Sequence, residues 1–229
     1  VWGEYADTGL NLSDSGILVN VIPEWLEVMR RDFNSPALIT WCPFNETRDW
    51  KTGARQIPEI ISTLYRISKA MDPTRLVVDA SGFIHGETDI FDVHEYEQNA
   101  DFFANIFKEE KNILDMYNTH PEQQSYKGQP YMVGEYGGTW WNPGEELENE
   151  MSYGERPSSP EEFLQRYKAL TTTLLDNPNI SGFCYTQLYD IEQEVNGLHT
   201  YWRVPKFAPE IIKKVNKQKA AIESRKNKL

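Results

Sequence analysis

Short apolar runs alternate with amphipathic stretches along nearly the whole chain, and this constrains the fold more than any other feature. The runs at 37–44 (A-L-I-T-W-C-P-F), 75–79 (R-L-V-V-D), 90–94, 131–134 and 180–188 read as strands, and Val1-Trp2 as the tail of another. Residues 37–44 are apolar at successive positions rather than at every second one, which marks a strand covered on both faces. Helical spacing lies between the runs. At 23–33 the apolar positions are Trp25, Leu26, Met29 and Phe33, with Pro23 expected in the first turn. Further helices are expected at 58–71 (stopped by Asp72-Pro73), 102–117, 160–175 (announced by S-S-P-E-E) and 209–222. Doubly covered strands alternating with helices imply an α/β fold with a parallel sheet.

Such a sheet is either open or closed into a barrel. No glycine-rich phosphate loop follows any strand, which weighs against an open nucleotide-binding sheet. Polar residues collect where the strands end: Asn45 and Glu46, Asp79, His94 and Tyr96, Glu135, then Gln187 and Asp190. A (β/α)8 TIM barrel keeps its active site at those ends. Eight strands close a barrel, whereas five runs and a strand tail are present, and no internal repeat supplies the rest. The expectation is an incomplete TIM barrel.

Bulk properties narrow the partners. A net charge of −12, with basic residues concentrated only at the end, argues against a nucleic-acid or anionic-membrane surface. No apolar stretch reaches the roughly 18 residues needed to span a bilayer. Cys42 and Cys184 sit far apart inside apolar runs without metal-ligand spacing, and both are expected to be buried free thiols. The compartment stays open among bacterial cytoplasm, periplasm and secretion.

The motif T-W-C-P-F-N-E-T (40–47) places Asn45 and Glu46 where a buried strand ends, and Y-M-V-G-E-Y-G-G (131–138) does the same with Glu135. Two exposed glutamates that merely begin loops would look the same from spacing alone. Two glutamates at the tips of two inward-leading strands are also the equipment for cleaving a glycosidic bond. One protonates the leaving oxygen, and the other attacks the anomeric carbon or activates water.

A strand ending in Asn-Glu followed by one ending in Gly-Glu-Tyr-Gly resembles glycoside hydrolase family 2, β-galactosidase-like. The resemblance runs from V-W-G-E-Y, similar to the end of that family's strand three, through R-D-F-N-S-P-A-L-I-T-W-C-P-F-N-E to G-F-C-Y-T-Q-L-Y-D-I-E-Q-E-V-N-G-L and R-V-P-K (203–206). It implies that 1–229 is one catalytic barrel domain, from about the end of strand three to helix eight, with the first strands and N-terminal domains of the same chain missing. It implies Glu46 as acid/base, Glu135 as nucleophile and Asn45 as the partner of the sugar 2-hydroxyl. Tyr96 matches the tyrosine that bonds the nucleophile, and Tyr185 stands where the family has a sugar-stacking tryptophan. His94, Trp140 and Trp141 join them as expected substrate-binding residues. A retaining mechanism then implies carboxyls about 5–5.5 Å apart and a covalent glycosyl-enzyme, with no metal or cofactor.

In glucuronidases of this family an Asn-x-Lys motif meets the sugar carboxylate, whereas this chain reads Glu194-Val-Asn196. An anion there repels a uronic acid, which leaves a neutral β-hexoside, most simply a β-galactoside, as the expected carbohydrate substrate. The alternative is a non-catalytic carbohydrate-binding or structural remnant. A sheet lacking its first strands exposes unpaired edges, so association with a second copy (a homo-oligomer) or marginal stability is expected.

Overall fold

The computed structural model describes residues 1–5, 10–47, 57–82, 85–108, 126–142 and 150–224. Six strands appear among them: β1 (Trp2–Glu4), β2 (Thr40–Cys42), β3 (Leu76–Val77), β4 (Phe91–Glu95), β5 (Tyr131–Gly137) and β6 (Ile180–Thr186). Five α-helices accompany them: α1 (Leu18–Asp32), α2 (Pro58–Met71), α3 (Ala100–Ile106), α4 (Pro160–Leu175) and α5 (Pro209–Asn216). The sheets run β1-β2-β3 and β4-β5-β6. Two compact units result, Val1–His94 with Tyr117–Met132 and Glu95–Met116 with Val133–Leu229, so the chain passes from one to the other along β4 and β5. No helix among the described residues is long and apolar enough to cross a membrane.

In the first unit β2 pairs in parallel with β1 (Gly3 opposite Trp41) and with β3 (Trp41 opposite Val77). The alternation of strand side chains divides these residues between two apolar clusters. Trp41 and Val77 join Trp25, Met29, Ile61 and Leu64, while Cys42 and Val78 face Ile90 and Met132. This is the double covering that the unbroken apolar run requires. Trp25 and Trp41 meet edge to face at 5.8 Å, and each indole finds a buried acceptor: Ser68 Oγ at 2.7 Å and Asp72 Oδ2 at 2.9 Å.

Helix α1 departs from the sequence reading. A 3-10 turn at Ser15–Ile17, capped by the Asp14 carboxylate, leads straight into it, and Pro23 lies inside the helix rather than in its first turn. The buried stripe Val21, Trp25, Met29 explains this, because it continues on the N-terminal side of Pro23. Burying that stripe outweighs the hydrogen bond the imide nitrogen cannot donate, although a helix-interior proline costs about 3 kcal/mol. Helices α2 and α4 match their expected bounds, each with proline at its start. Of the helix expected at 102–117, α3 accounts for the beginning, and 109–125 lie outside the described residues.

In the second unit α4 is capped by Ser159, which accepts from the Glu162 amide. Its inner face supplies Phe163 and Tyr167 to a core with Trp141, Phe207 and Val215. Phe163 and Phe207 stack at 4.3 Å, and the Tyr167 hydroxyl donates to Asn216 of α5 at 2.8 Å. Cys42 is buried as expected, but Cys184 is exposed. It lies in β6, the last strand of its sheet, where four of seven residues are half-buried and two are exposed.

Asp72 joins α2 to β2 and β3. It has no exposed surface, and it accepts from Trp41, from the Thr74 amide at 3.0 Å and from Arg75 at 2.6 Å. Burial works to raise its pKa, but these donors together hold the carboxyl well below the usual carboxylate range. Its stabilising contribution is therefore complete above the unfolded value of about 4 and is lost as pH falls toward the depressed folded value. Asp72→Ala takes the carboxylate from Arg75, which keeps the carbonyls of Leu38 and Phe33, and leaves the Trp41 indole without this acceptor. It is expected to cost about 3 kcal/mol in urea denaturation at pH 7, with the difference from wild type shrinking below pH 4.

Candidate active site

The β2–β3 pairing resumes just past the strand ends. Ser81 N–H donates to the Phe44 carbonyl and Glu46 N–H to the Ser81 carbonyl, both at 2.8 Å, and Asn45 bridges Ser81 in parallel. Glu46 is held there with φ of 45°, the left-handed region that disfavours a side chain. Its Oε1 lies 2.8 Å from Nδ1 of His94. His94 is only 5% exposed, and its Nε2 lies 2.8 Å from Ser81 Oγ. Asp92 and His94 sit two residues apart in β4 and therefore share a face. Asp92 Oδ2 accepts from Ser81 Oγ at 3.0 Å and from the Gly82 amide at 3.1 Å.

One layer further out lies His85, also buried. Its Nδ1 is 2.6 Å from Asp79, and its Nε2 meets the backbone oxygen and nitrogen of Asp92 at 2.8 and 3.0 Å. Burial opposes a charge on His85, but the Asp79 carboxylate outweighs it and raises the imidazole above its ordinary value.

The second unit organises a different carboxylate. Glu135, on β5, accepts a short hydrogen bond from the Tyr96 hydroxyl. Burial first, and then the Glu135 charge, push the Tyr96 phenol far above its ordinary value, so it stays a donor. The Tyr96 ring stacks flat on Tyr153 with centroids 3.5 Å apart. Gly137 and Gly138 follow with positive φ. A Cβ on Gly137 would fall 2.2 Å from the Tyr185 ring, and one on Gly138 would fall 2.4 Å from Tyr153. The Gln98 amide donates to the carbonyls of Tyr96 and Gly137, tying the end of β4 to the end of β5.

The remaining expected residues are distributed unevenly. Tyr185 accepts from the Thr139 amide at 3.3 Å, and burial raises its phenol. Trp140 is half-buried, its indole donating to Glu150 at 2.9 Å, with Arg156 over the ring. Trp141, expected alongside it as pocket lining, is 8% exposed and packs in the core on Phe163 and Phe207. Consecutive residues in extended backbone face opposite ways, so two adjacent indoles cannot both line one surface. Gln187 donates to Glu194 at 3.0 Å and to Asn196 at 2.9 Å, joining the polar residues after β6.

Sequence reasoning did not single out Ser81, Asp92, Tyr153 or Gln98. One signal was available: Asp92 and His94 alternate within an otherwise apolar strand, which is costly unless both are partnered.

The family model described as "Glycosyl hydrolases family 2, TIM barrel domain" matches residues 9–219. No curated protein sequence matches the chain. Among solved structures it is similar to a β-D-glucuronidase of Dictyoglomus thermophilum, with a TM-score of 0.66 and 16% identity over 96% of this chain and 40% of that one. A family 2 β-galacturonidase from Eisenbergiella tayi bound to galacturonate gives a TM-score of 0.66 and 20% identity, over 94% of this chain and 40% of that one. A Bifidobacterium dentium β-glucuronidase complexed with coumarin-3-O-glucuronide gives 0.65 and 18%, over 90% and 35%. At these identities the likeness concerns the fold, and the chain spans two-fifths or less of each of these proteins. The fold class is thus the TIM barrel, of which the described residues carry six strands.

The close approach at Gly138 is testable. Gly138→Ala combines a strained φ with a contact on Tyr153, and is expected to lower stability by about 2 kcal/mol. Thermal denaturation compared with Gly128→Ala, where a Cβ meets nothing within 4 Å, separates the two effects.

Proposed function

This chain belongs to glycosyl hydrolases family 2, and from that premise we propose that it carries the catalytic residues of a retaining β-glycosidase. Glu46 is the acid/base, Glu135 the nucleophile, and Asn45 binds the sugar 2-hydroxyl. The observation that carries the division of roles is the difference between the two carboxylates' partners. Glu135 receives a hydrogen bond from a phenol that stays protonated, which suits an anion kept as nucleophile. Glu46 instead faces an imidazole nitrogen, a group that can hold or release a proton. Environments that differ in this way separate an acid from a nucleophile.

In this reading Glu46 gives its proton to the leaving oxygen as Glu135 bonds to the anomeric carbon. Water then attacks that carbon, loses a proton to Glu46 and releases Glu135. For the sugar we propose a neutral β-hexoside, with β-galactoside first. Support comes from Glu194 at the position where a uronic acid needs a cation, and from Lys206, which is buried against Asp190 at 2.7 Å. The solved relatives named for glucuronate and galacturonate make uronides the competing sugars.

The test uses the full-length protein and aryl β-glycosides of galactose, glucose, mannose, glucuronate and galacturonate. Turnover is expected to be highest on the galactoside, and a preference for either uronide overturns the sugar assignment alone. Glu135→Gln should abolish turnover. Glu46→Ala should lower it by roughly 10²–10⁴-fold on phenyl glycosides, with azide restoring it and yielding a β-glycosyl azide. An α-azide would reverse the two roles.

A further inference from the structure

Behind the Glu46–His94 contact lies a run of buried groups that the mechanism above does not use. Ser81 and Asp92 have essentially no exposed surface. The one hydroxyl hydrogen of Ser81 goes to Asp92 Oδ2 at 3.0 Å. Ser81 Oγ therefore has only lone pairs for its second contact, His94 Nε2 at 2.8 Å. That contact is a hydrogen bond only if Nε2 carries a hydrogen. In the neutral imidazole Nδ1 then presents its lone pair to Glu46 Oε1 at 2.8 Å, and the bond between them uses the proton of the Glu46 carboxyl. If that proton crosses to His94, Nδ1–H donates back along the same line. In either state Nε2–H stays bound to Ser81, and one proton lies between Nδ1 and Oε1.

We infer that Ser81 and Asp92 are positioning residues for general acid catalysis, acting through His94 to hold the transferable proton on Glu46. This rests on the glycosidase reading. Neither residue touches the substrate in this role. Two further features fix the arrangement. Gly82 has φ of 96°, and a Cβ there would fall 2.9 Å from His94 Nδ1, so the backbone packs closely against the ring. Asp92 is held through its own backbone by His85, which Asp79 anchors in turn.

In the first chemical step the Glu46 O–H leaves its hydrogen bond to His94 Nδ1 and turns to the glycosidic oxygen, the O–H bond breaks, and the proton goes to that oxygen. That oxygen keeps the electron pair of the breaking bond to the anomeric carbon, while Glu135 supplies the pair for the new one. His94 ends the step with the protons it began with, so its contribution, set by Ser81, is to place the proton before transfer. A leaving group that needs no protonation makes no use of this placement.

The deciding measurement is kcat/KM of the full-length protein on a phenyl β-glycoside and on the 2,4-dinitrophenyl β-glycoside of the same sugar. Ser81→Ala is expected to lower the phenyl value about tenfold and to leave the dinitrophenyl value within about twofold. Ser81→Thr, which keeps the hydroxyl, should recover the phenyl value, and Asp92→Asn should reproduce the split if Ser81→Ala does not fold. Equal losses on both substrates, or no loss on either, would overturn the inference. A second readout does not depend on turnover. The sequence holds four histidines, so nitrogen NMR with His94→Gln for assignment can follow His94 alone. A proton-bearing Nε2 that becomes a mixture of tautomers in Ser81→Ala is expected, and a lone-pair Nε2 in the wild type would sink the inference. Absence of turnover on every glycoside, with that NMR pattern intact, would instead overturn the glycosidase reading and with it the catalytic role of Ser81.

Discussion

A carboxylate with no exposed surface persists only where donors surround it, and Asp79 is the one on which the first unit's site depends. Its Oδ1 takes the Ala80 amide at 2.9 Å and His85 Nδ1 at 2.6 Å, while its Oδ2 takes the amides of Gly86 and Glu87 at 2.6 and 3.0 Å. These contacts fold the segment after β3 back on itself and carry His85 to the backbone of Asp92. Asp92 then orients Ser81, Ser81 orients His94, and His94 meets Glu46. Each link is a buried polar group that would be costly alone. Satisfying Asp79 is thus the same physical event as placing Glu46.

The second unit reaches a comparable end by other means. Aromatic rings and glycines do there what carboxylates and histidines do in the first. Tyr96 is fixed by its flat stack on Tyr153 and by the Gln98 bonds to the strand ends, and two glycines let the rings close over the backbone. Toward a carboxylate a protonated phenol can only donate, whereas an imidazole nitrogen can donate to it or accept from its protonated form. The two carboxylates therefore differ because of what stands next to each, although in the sequence both are simply glutamates that end apolar runs.

Where the sequence was informative, local rules decided the structure. Helices α2 and α4 occupy their expected residues because a proline at N1 fixes where each begins, joined at α4 by the Ser159 cap. Strand β2 keeps only three residues of its apolar run 37–44, since Pro43 has no amide to donate and the ladder stops before it, whereas β5 continues past its run 131–134 to Gly137. The start of α1 and the exposure of Cys184 were missed because tertiary packing settles both. Glu46, His94, Tyr96 and Glu135 were visible as polar residues at strand ends. Ser81, Asp92 and Tyr153 were not, because a small hydroxyl or a further tyrosine has meaning only through its partner. Ser81 finds His94 thirteen residues later, in another strand.

The left-handed backbone at Glu46 sets folding against chemistry at one residue. With φ of 45°, a side chain there costs on the order of 1 kcal/mol that glycine would not. Selection for thermal stability alone would favour glycine at position 46 and remove the carboxylate in the same step. A library of this chain screened only for heat resistance would lose Glu46 early, so any stabilised descendant needs a second filter that keeps that side chain.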